Sequence, residues 1–93
     1  MNIQHTEDNK NGEFYYEVDG RNLASMTYTY AGDDKIIIDH TSVDESLKGQ
    51  GVGYKLVETA VNFAREKNIK IMPLCPFANA VFNKRSKYSD VRF

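Results

Sequence analysis

Hydrophobic and polar positions recur along this chain with two different periods, and the change of period divides it into two halves. Phe14 to Val18 is aromatic-rich and alternating. Asp19-Gly20 follows, a pair suited to the φ > 0 positions of a two-residue hairpin turn. Leu23 to Tyr30 alternates again, with Ala24, Met26, Tyr28 and Tyr30 on one face and Leu23, Ser25, Thr27 and Thr29 on the other. Ala31-Gly32-Asp33-Asp34 makes a second turn, and Lys35 to Val43 is a third strand built around Ile36-Ile37-Ile38. The first half thus predicts an antiparallel three-stranded meander. Residues 1–12 are polar, end in Asn-Gly and predict a frayed, flexible start.

From Gly51 to Lys67 the period lengthens. Val52, Leu56, Val57, Ala60, Val61 and Ala64 make an i, i+4 stripe, with Lys55, Glu58, Asn62, Arg65 and Glu66 elsewhere. Asn68 is placed to end that helix in the left-handed conformation. Ile69 to Leu74 predicts a short apolar strand, and Pro76 suits the first turn of a second helix through about Asn83, where a missing N–H costs nothing. The tail from Lys84 to Phe93 mixes basic and aromatic residues and is placed only loosely. The predicted fold is α+β, in the order β-β-β-α-β-α. A β-α-β crossover should be right-handed and make its two strands parallel. Ligands of such sheets gather at the carboxyl ends of parallel strands. Two candidate features, a glycine-rich loop and Cys75, follow such ends.

Composition narrows the class without changing this outline. Ninety-three residues predict one domain over 1–93. A net charge of −1 supplies no global field for nucleic acid or an anionic membrane. No apolar run approaches the roughly 20 residues of a membrane span, and the polar start lacks a signal peptide's apolar core. The single cysteine excludes an internal disulfide and suits a reducing compartment. The expectation is a cytoplasmic domain without a metal centre, since His5, His40 and Cys75 are too scattered in sequence to suggest one.

The loop Lys48-Gly49-Gln50-Gly51-Val52-Gly53-Tyr54-Lys55 lies between the third strand and the long helix. Glycines at alternate positions let the backbone approach a ligand and present successive amides, and the helix start behind them adds free donors and a positive dipole end. This suits a phosphate or pyrophosphate held by main chain, with a plain strand-to-helix turn as the alternative. Two familiar phosphate loops fail. Gly53 is followed by Tyr54-Lys55-Leu56, without the Lys-Ser/Thr of a P-loop. The spacing Gly-x-Gly-x-Gly is not the dinucleotide Gly-x-Gly-x-x-Gly, and the next strand ends Met72-Pro73-Leu74 with no acid.

Lys48-x-x-Gly51-x-Gly53 between strand and helix resembles the Arg/Gln-x-x-Gly-x-Gly/Ala loop of the GCN5-related N-acetyltransferases (GNATs). With Ile38-Asp39-His40-Thr41-Ser42-Val43 before it, Pro73-Leu74-Cys75-Pro76-Phe77 after it, and Tyr88-Ser89-Asp90-Val91 at the end, nearly the whole chain resembles the very small, single-domain branch of that superfamily. The resemblance implies acetyl-coenzyme A, or coenzyme A, as co-substrate. Its diphosphate would lie on the amides of Gly49, Gln50, Gly51, Val52, Gly53 and Tyr54, with Lys48 and Lys55 beside them. Its pantetheine arm would run along the backbone near Val43 between the third and fourth strands. Asn79-x-x-Phe82 falls on the second helix, and Asn79 joins the implied cofactor contacts; no Tyr stands seven residues beyond it, where many relatives place a general acid. Asp19-Gly20 turns directly where larger relatives insert the helical segment that helps form the acceptor site.

Acetyl transfer to an amine needs an uncharged nucleophile, a polarised thioester and a proton for the departing thiolate. Cys75 precedes Pro76 at the threshold of a helix, extended and where a helix start favours a thiolate, unless it is simply an inert buried residue. His40 is read on the face shared with Ile36 and Ile38, close enough to the neighbouring strand to pair with Cys75, or else as a core or edge histidine bonded to backbone. Direct transfer with His40 or water as base and a route through an acetylated Cys75 both stay open. Tyr15, Tyr16, Tyr28 and Tyr30 are read as sheet packing. Lys84, Arg85 and Lys87 are read as a solvated cluster, with contact to the nucleotide's 3′-phosphate as the alternative. Three functions are weighed: an N-acetyltransferase acting on an unidentified amine, a coenzyme A or acyl-coenzyme A binding module with little turnover, and an RNA-binding sheet disfavoured by the charge. The sequence is silent on the acceptor and on the oligomeric state.

Overall fold

The computed structural model describes residues 2–93. Five strands form one sheet in sequential order: β1 (Gln4–Glu7), β2 (Asn11–Val18), β3 (Arg21–Tyr30), β4 (Lys35–Val43) and β5 (Lys70–Pro73). The first four are antiparallel, and β5 lies parallel to β4. Helix α1 (Val52–Lys67) makes the crossover between β4 and β5, and α2 (Pro76–Lys84) follows β5.

The local signals act as their chemistry requires. Asp19 (φ 51°) and Gly20 (φ 77°) take the positive dihedrals of a tight hairpin turn between β2 and β3. Along β3, Ala24, Met26 and Tyr28 are buried while the intervening residues are not. On α1, the stripe Val52, Leu56, Val57, Ala60, Val61 and Ala64 is buried, and Asn68 closes the helix at φ 59°, ψ 46°, its N–H reaching the carbonyls of Ala64 and Arg65. Pro76 occupies the first turn of α2. Phe14, Met26, Tyr28, Ile36, Ile38 and Ile71 come from one face of the sheet and share a single core with the apolar faces of both helices. The opposite face carries Glu13, Tyr15, Ser25, Thr27, Thr29 and Ile37, and no helix among the described residues covers it.

The structure corrects two expectations. Residues 4–7 are not a frayed start but the edge strand β1, so the order is β-β-β-β-α-β-α. Gln4–Glu7 are all exposed, and no apolar alternation announces them. What holds them is sequence-distant. The His5 ring stacks on Phe14 at 4.2 Å, and its Nε2 lies 2.6 Å from the Tyr28 hydroxyl. That hydroxyl donates to Glu7 at 2.5 Å, and Tyr30 donates to the same carboxylate oxygen at 2.8 Å. Asp8 then accepts from the amides of Lys10 and Asn11, which turns the chain into β2.

The second correction concerns β4. Thr27 pairs with His40 but Tyr28 pairs with Ile38, so Asp39 is an extra residue, a β-bulge. Its carboxylate accepts from the hydroxyls of Thr27 (2.5 Å) and Thr29 (3.2 Å), which anchor the bulge from the neighbouring strand. Beyond the bulge the alternation is inverted. Thr41, opposite the buried Met26, lies on the core face, whereas His40 is exposed and lies on the face away from Ile36 and Ile38.

The tail is ordered as a 3-10 helix, Ser86–Val91. Arg65 grips it from α1, with two bonds of 2.9 Å to the Asp90 carboxylate and one of 2.7 Å to the Lys87 carbonyl. Phe93 N–H then bonds the Ile71 carbonyl at 2.8 Å, so the end of the chain covers the free edge of β5.

Candidate active site

The site is opened by a mismatch in strand length. Pairing of β4 with β5 stops at Ile38 and Pro73, where the amides of Leu74 and Cys75 both donate to the Ile38 carbonyl. β4 continues to Val43, so Asp39 to Val43 have a strand neighbour on one side only. After Cys75 the chain continues as α2 rather than as strand, so β5 gives Asp39 to Val43 no partner and a cleft is left between the two strands.

A groove of about 380 Å³ occupies the mouth of this cleft. Val43 ends one wall, and Phe77, near the start of α2, forms part of the other. Its floor is Leu47, Lys48, Gly49, Gly51 and the first helical residues Val52, Gly53 and Tyr54. The chain enters the loop through a 3-10 turn, Glu45–Leu47, capped by Asp44. The hydroxyl and amide of Ser46 bond that carboxyl and hold it below the usual aspartate range.

The loop offers main-chain donors. Gly49 (φ 81°) and Gly51 (φ 73°) are left-handed, and space is open for 4 Å around the position of a Cβ at either. Gly51 is the N-cap of α1 and supplies no side-chain cap. Helix geometry leaves the amides of Val52, Gly53 and Tyr54 without an intrahelical acceptor, and the first turn bond runs from Lys55 to the Gly51 carbonyl. Among the described residues, the amides of Gly49 and Gly51 also have no acceptor within the chain. No acidic side chain occupies that first turn, and Lys48 makes no ion pair among the described residues. The result is an uncapped, positive helix end, a geometry suited to an anion. Gly53 serves packing: a Cβ there would lie 2.5 Å from the tip of the Phe77 ring, which it lets close over the groove.

Deeper in the cleft, Cys75 is 5% exposed and its Sγ lies 3.2 Å from the Thr41 hydroxyl. Thr41, not His40, is therefore the β4 side chain that meets Cys75, and the bulge at Asp39 is the reason. Asn79 does not line the groove; its Oδ1 accepts from Arg92 at 2.6 Å, facing the C-terminal segment. Gln50 and Lys55 do not line this groove but a second one, with Arg85. Thr41 and Leu47 carry no site signal in the sequence, and Phe77 carries only its place in the Cys-Pro-Phe run; the bulge is what brings Thr41 inward.

The description of the GCN5-related N-acetyl-transferase family matches residues 13–91, and the chain belongs to that family, in its small NATD1-like branch. It is 27% identical over 76 residues to Protein NATD1 of Xenopus tropicalis, covering 81% of this chain and 68% of that one. The solution structure of a GCN5-like protein from Staphylococcus aureus is 39% identical, with a TM-score of 0.78 over 99% of this chain and 87% of that one. A protein of Clostridium acetobutylicum solved with acetyl-coenzyme A shares the fold at a TM-score of 0.66 and 21% identity, covering 82% of this chain and 56% of its own.

Proposed function

We propose that this chain is an acetyl-coenzyme A-dependent N-acetyltransferase acting on an amine. The observation that carries this is the uncapped start of α1, where Gly49, Gly51, Val52, Gly53 and Tyr54 line the groove with amides that no backbone acceptor takes up, and Lys48 lines it with them. A diphosphate there would receive several charge-assisted hydrogen bonds. The pantetheine arm would follow the unpaired edge of β4 toward Val43, under Phe77, and bring the thioester to the cleft floored by Cys75 and Thr41.

In direct transfer the amine lone pair attacks the thioester carbonyl carbon, a C–N bond forms, the C–S bond breaks, and the amine proton and the departing thiolate are accounted for by acid and base groups. The bulge divides the candidates. His40, exposed on the helix-free face, suits the base that takes the amine proton from the acceptor side. Cys75 with Thr41 lies on the core side, placed to return a proton to the thiolate or to take the acetyl group itself. A binding module with little turnover is the second reading, favoured by the uncovered sheet face, which carries no acceptor-enclosing element among the described residues.

Calorimetry with acetyl-coenzyme A tests the binding half, and thioester consumption across a panel of amines tests the catalytic half. Saturable binding with amine-dependent turnover that His40→Ala abolishes supports the transferase. Binding without turnover leaves the module, and no heat at all refutes both.

A further inference from the structure

Adjoining the first groove at Gly51 and Tyr54 lies a second one of about 270 Å³. It is lined by Gln50, Lys55, Glu58, Arg85 and Tyr88, and it shares Gly51 and Tyr54 with the groove at the cleft mouth. A ligand held on the amides can therefore extend into it without leaving the protein surface.

Arg85 is the informative residue. It ends α2, its backbone N–H satisfied by the Val81 carbonyl at 3.0 Å, and its guanidinium lies over the Tyr54 ring, 4.8 Å from the centroid. Tyr54 is braced on its own side by an edge-on contact with Phe77 at 5.8 Å. The guanidinium is only partly exposed, yet among the described residues it has no carboxylate and no hydrogen-bond acceptor. Arg65 and Arg92, by contrast, are engaged, Arg65 with Asp90 and Arg92 with Asn79 and Asn83. Glu58 is the one acid lining this groove, and it is countered by Lys55 at 3.7 Å. Stacking fixes the plane of Arg85 while leaving its N–H fork free, an arrangement matched to the oxygens of a phosphate monoester.

We propose that this second groove receives the phosphorylated ribose of the coenzyme and that Arg85, aligned on Tyr54, holds its 3′-phosphate. The inference rests on the coenzyme A reading above and adds to it a selectivity: the protein distinguishes coenzyme A from nucleotides that carry the same diphosphate and pantetheine but lack that phosphate. Lys55 supports the field, and Lys84 and Lys87 flank Arg85 in sequence.

The test is calorimetric titration of the wild-type chain, Arg85→Ala and Lys55→Ala with coenzyme A and with 3′-dephospho-coenzyme A. Expected is a preference for coenzyme A of about tenfold or more in the wild type, weakened by high salt. Arg85→Ala should lose it by binding coenzyme A as weakly as the dephospho form, whose affinity stays within about twofold of wild type. A merely structural role for Arg85 would weaken both nucleotides together, which overturns the proposal. Equal wild-type affinities for the two nucleotides overturn it without any variant and leave the diphosphate site standing. No heat from either nucleotide removes the coenzyme A reading itself, and this inference with it.

Discussion

Gly53→Ala separates folding from binding at this site. An added Cβ would meet the Phe77 ring at 2.5 Å (Cζ) and 2.8 Å (Cε2), so the ring has to move. Overpacking costs about 1–3 kcal/mol, and the lower end applies because the clash is with the tip of a side chain that is 37% exposed. Against this, Ala in place of a helical glycine gains about 1 kcal/mol. The net change in stability is therefore within about 1 kcal/mol. At roughly 2.1 cal/mol/K per residue of unfolding entropy, that is a Tm shift of no more than about 5 °C for a chain of this size. Binding responds differently, because Phe77 is a wall of the groove and is packed edge-on to Tyr54. Calorimetry should show coenzyme A affinity down by about tenfold, some 1.4 kcal/mol, while Tm barely moves. The cycle with Phe77→Ala locates the cause. In that background Gly53→Ala should stabilise the fold and change affinity little further. Unchanged affinity in Gly53→Ala would refute Phe77 as a wall of the ligand site, and a large loss in the Phe77→Ala background would refute the ring as the intermediary.

Other consequences follow from the same geometry. Gly51→Ala meets no steric neighbour but puts a side chain at φ 73°, so it should cost about 1–2 kcal/mol of stability, read by denaturant unfolding, and also weaken coenzyme A. Gly12→Ala places a Cβ 2.1 Å from the ring of the buried, hydrogen-bonded Tyr28, and it should destabilise more than Gly53→Ala in the same assay. Acid should loosen β1. Burial holds His5 below its ordinary 6.5, opposed by Glu7 and reinforced by Lys67, so the unfolded chain binds the proton more readily, and stability falls as pH drops below about 6.5. Glu7 follows at lower pH: burial pushes its carboxyl up, but the Tyr28 and Tyr30 hydroxyls and the nearby His5 and Lys67 outweigh it and hold it low, so its contribution is lost as pH falls through that depressed value. A pH series of Tm values should be flatter for His5→Gln than for wild type in the upper range, and an equal slope refutes the assignment. Intact-mass spectrometry after acetyl-coenzyme A treatment should show an acetyl adduct that Cys75→Ala removes if transfer passes through the thiol, and none if transfer is direct.

Most of the fold is written in local chemistry, and most of what eluded sequence reasoning is not. The β3 alternation, the α1 stripe, the Asp19-Gly20 turn and the Asn68 stop each depend on neighbours a few residues away, and each is legible. The glycine loop is legible for the same reason, since φ > 0 and an uncapped helix start are local demands. β1 is invisible because its residues are polar and its hold on the sheet runs through Phe14, Tyr28 and Tyr30. The bulge is invisible because the hydroxyls that anchor Asp39 belong to another strand; that one inserted residue exchanges His40 for Thr41 beside Cys75. Asn79 joins the cofactor contacts only through the family resemblance, and its Oδ1 instead accepts from Arg92, thirteen residues on. A burial pattern from sequence carries no record of such distant partners.

Main-chain donors at the start of α1, if they hold a diphosphate, should report it in their own amide resonances, followed during titration with acetyl-coenzyme A and, separately, with pantetheine, which lacks the diphosphate. Saturable shifts of Gly49, Gly51, Val52, Gly53 and Tyr54 are expected with the full coenzyme, and little change at those amides with pantetheine. Shifts centred elsewhere, or the same response to both compounds, would contradict a diphosphate held there.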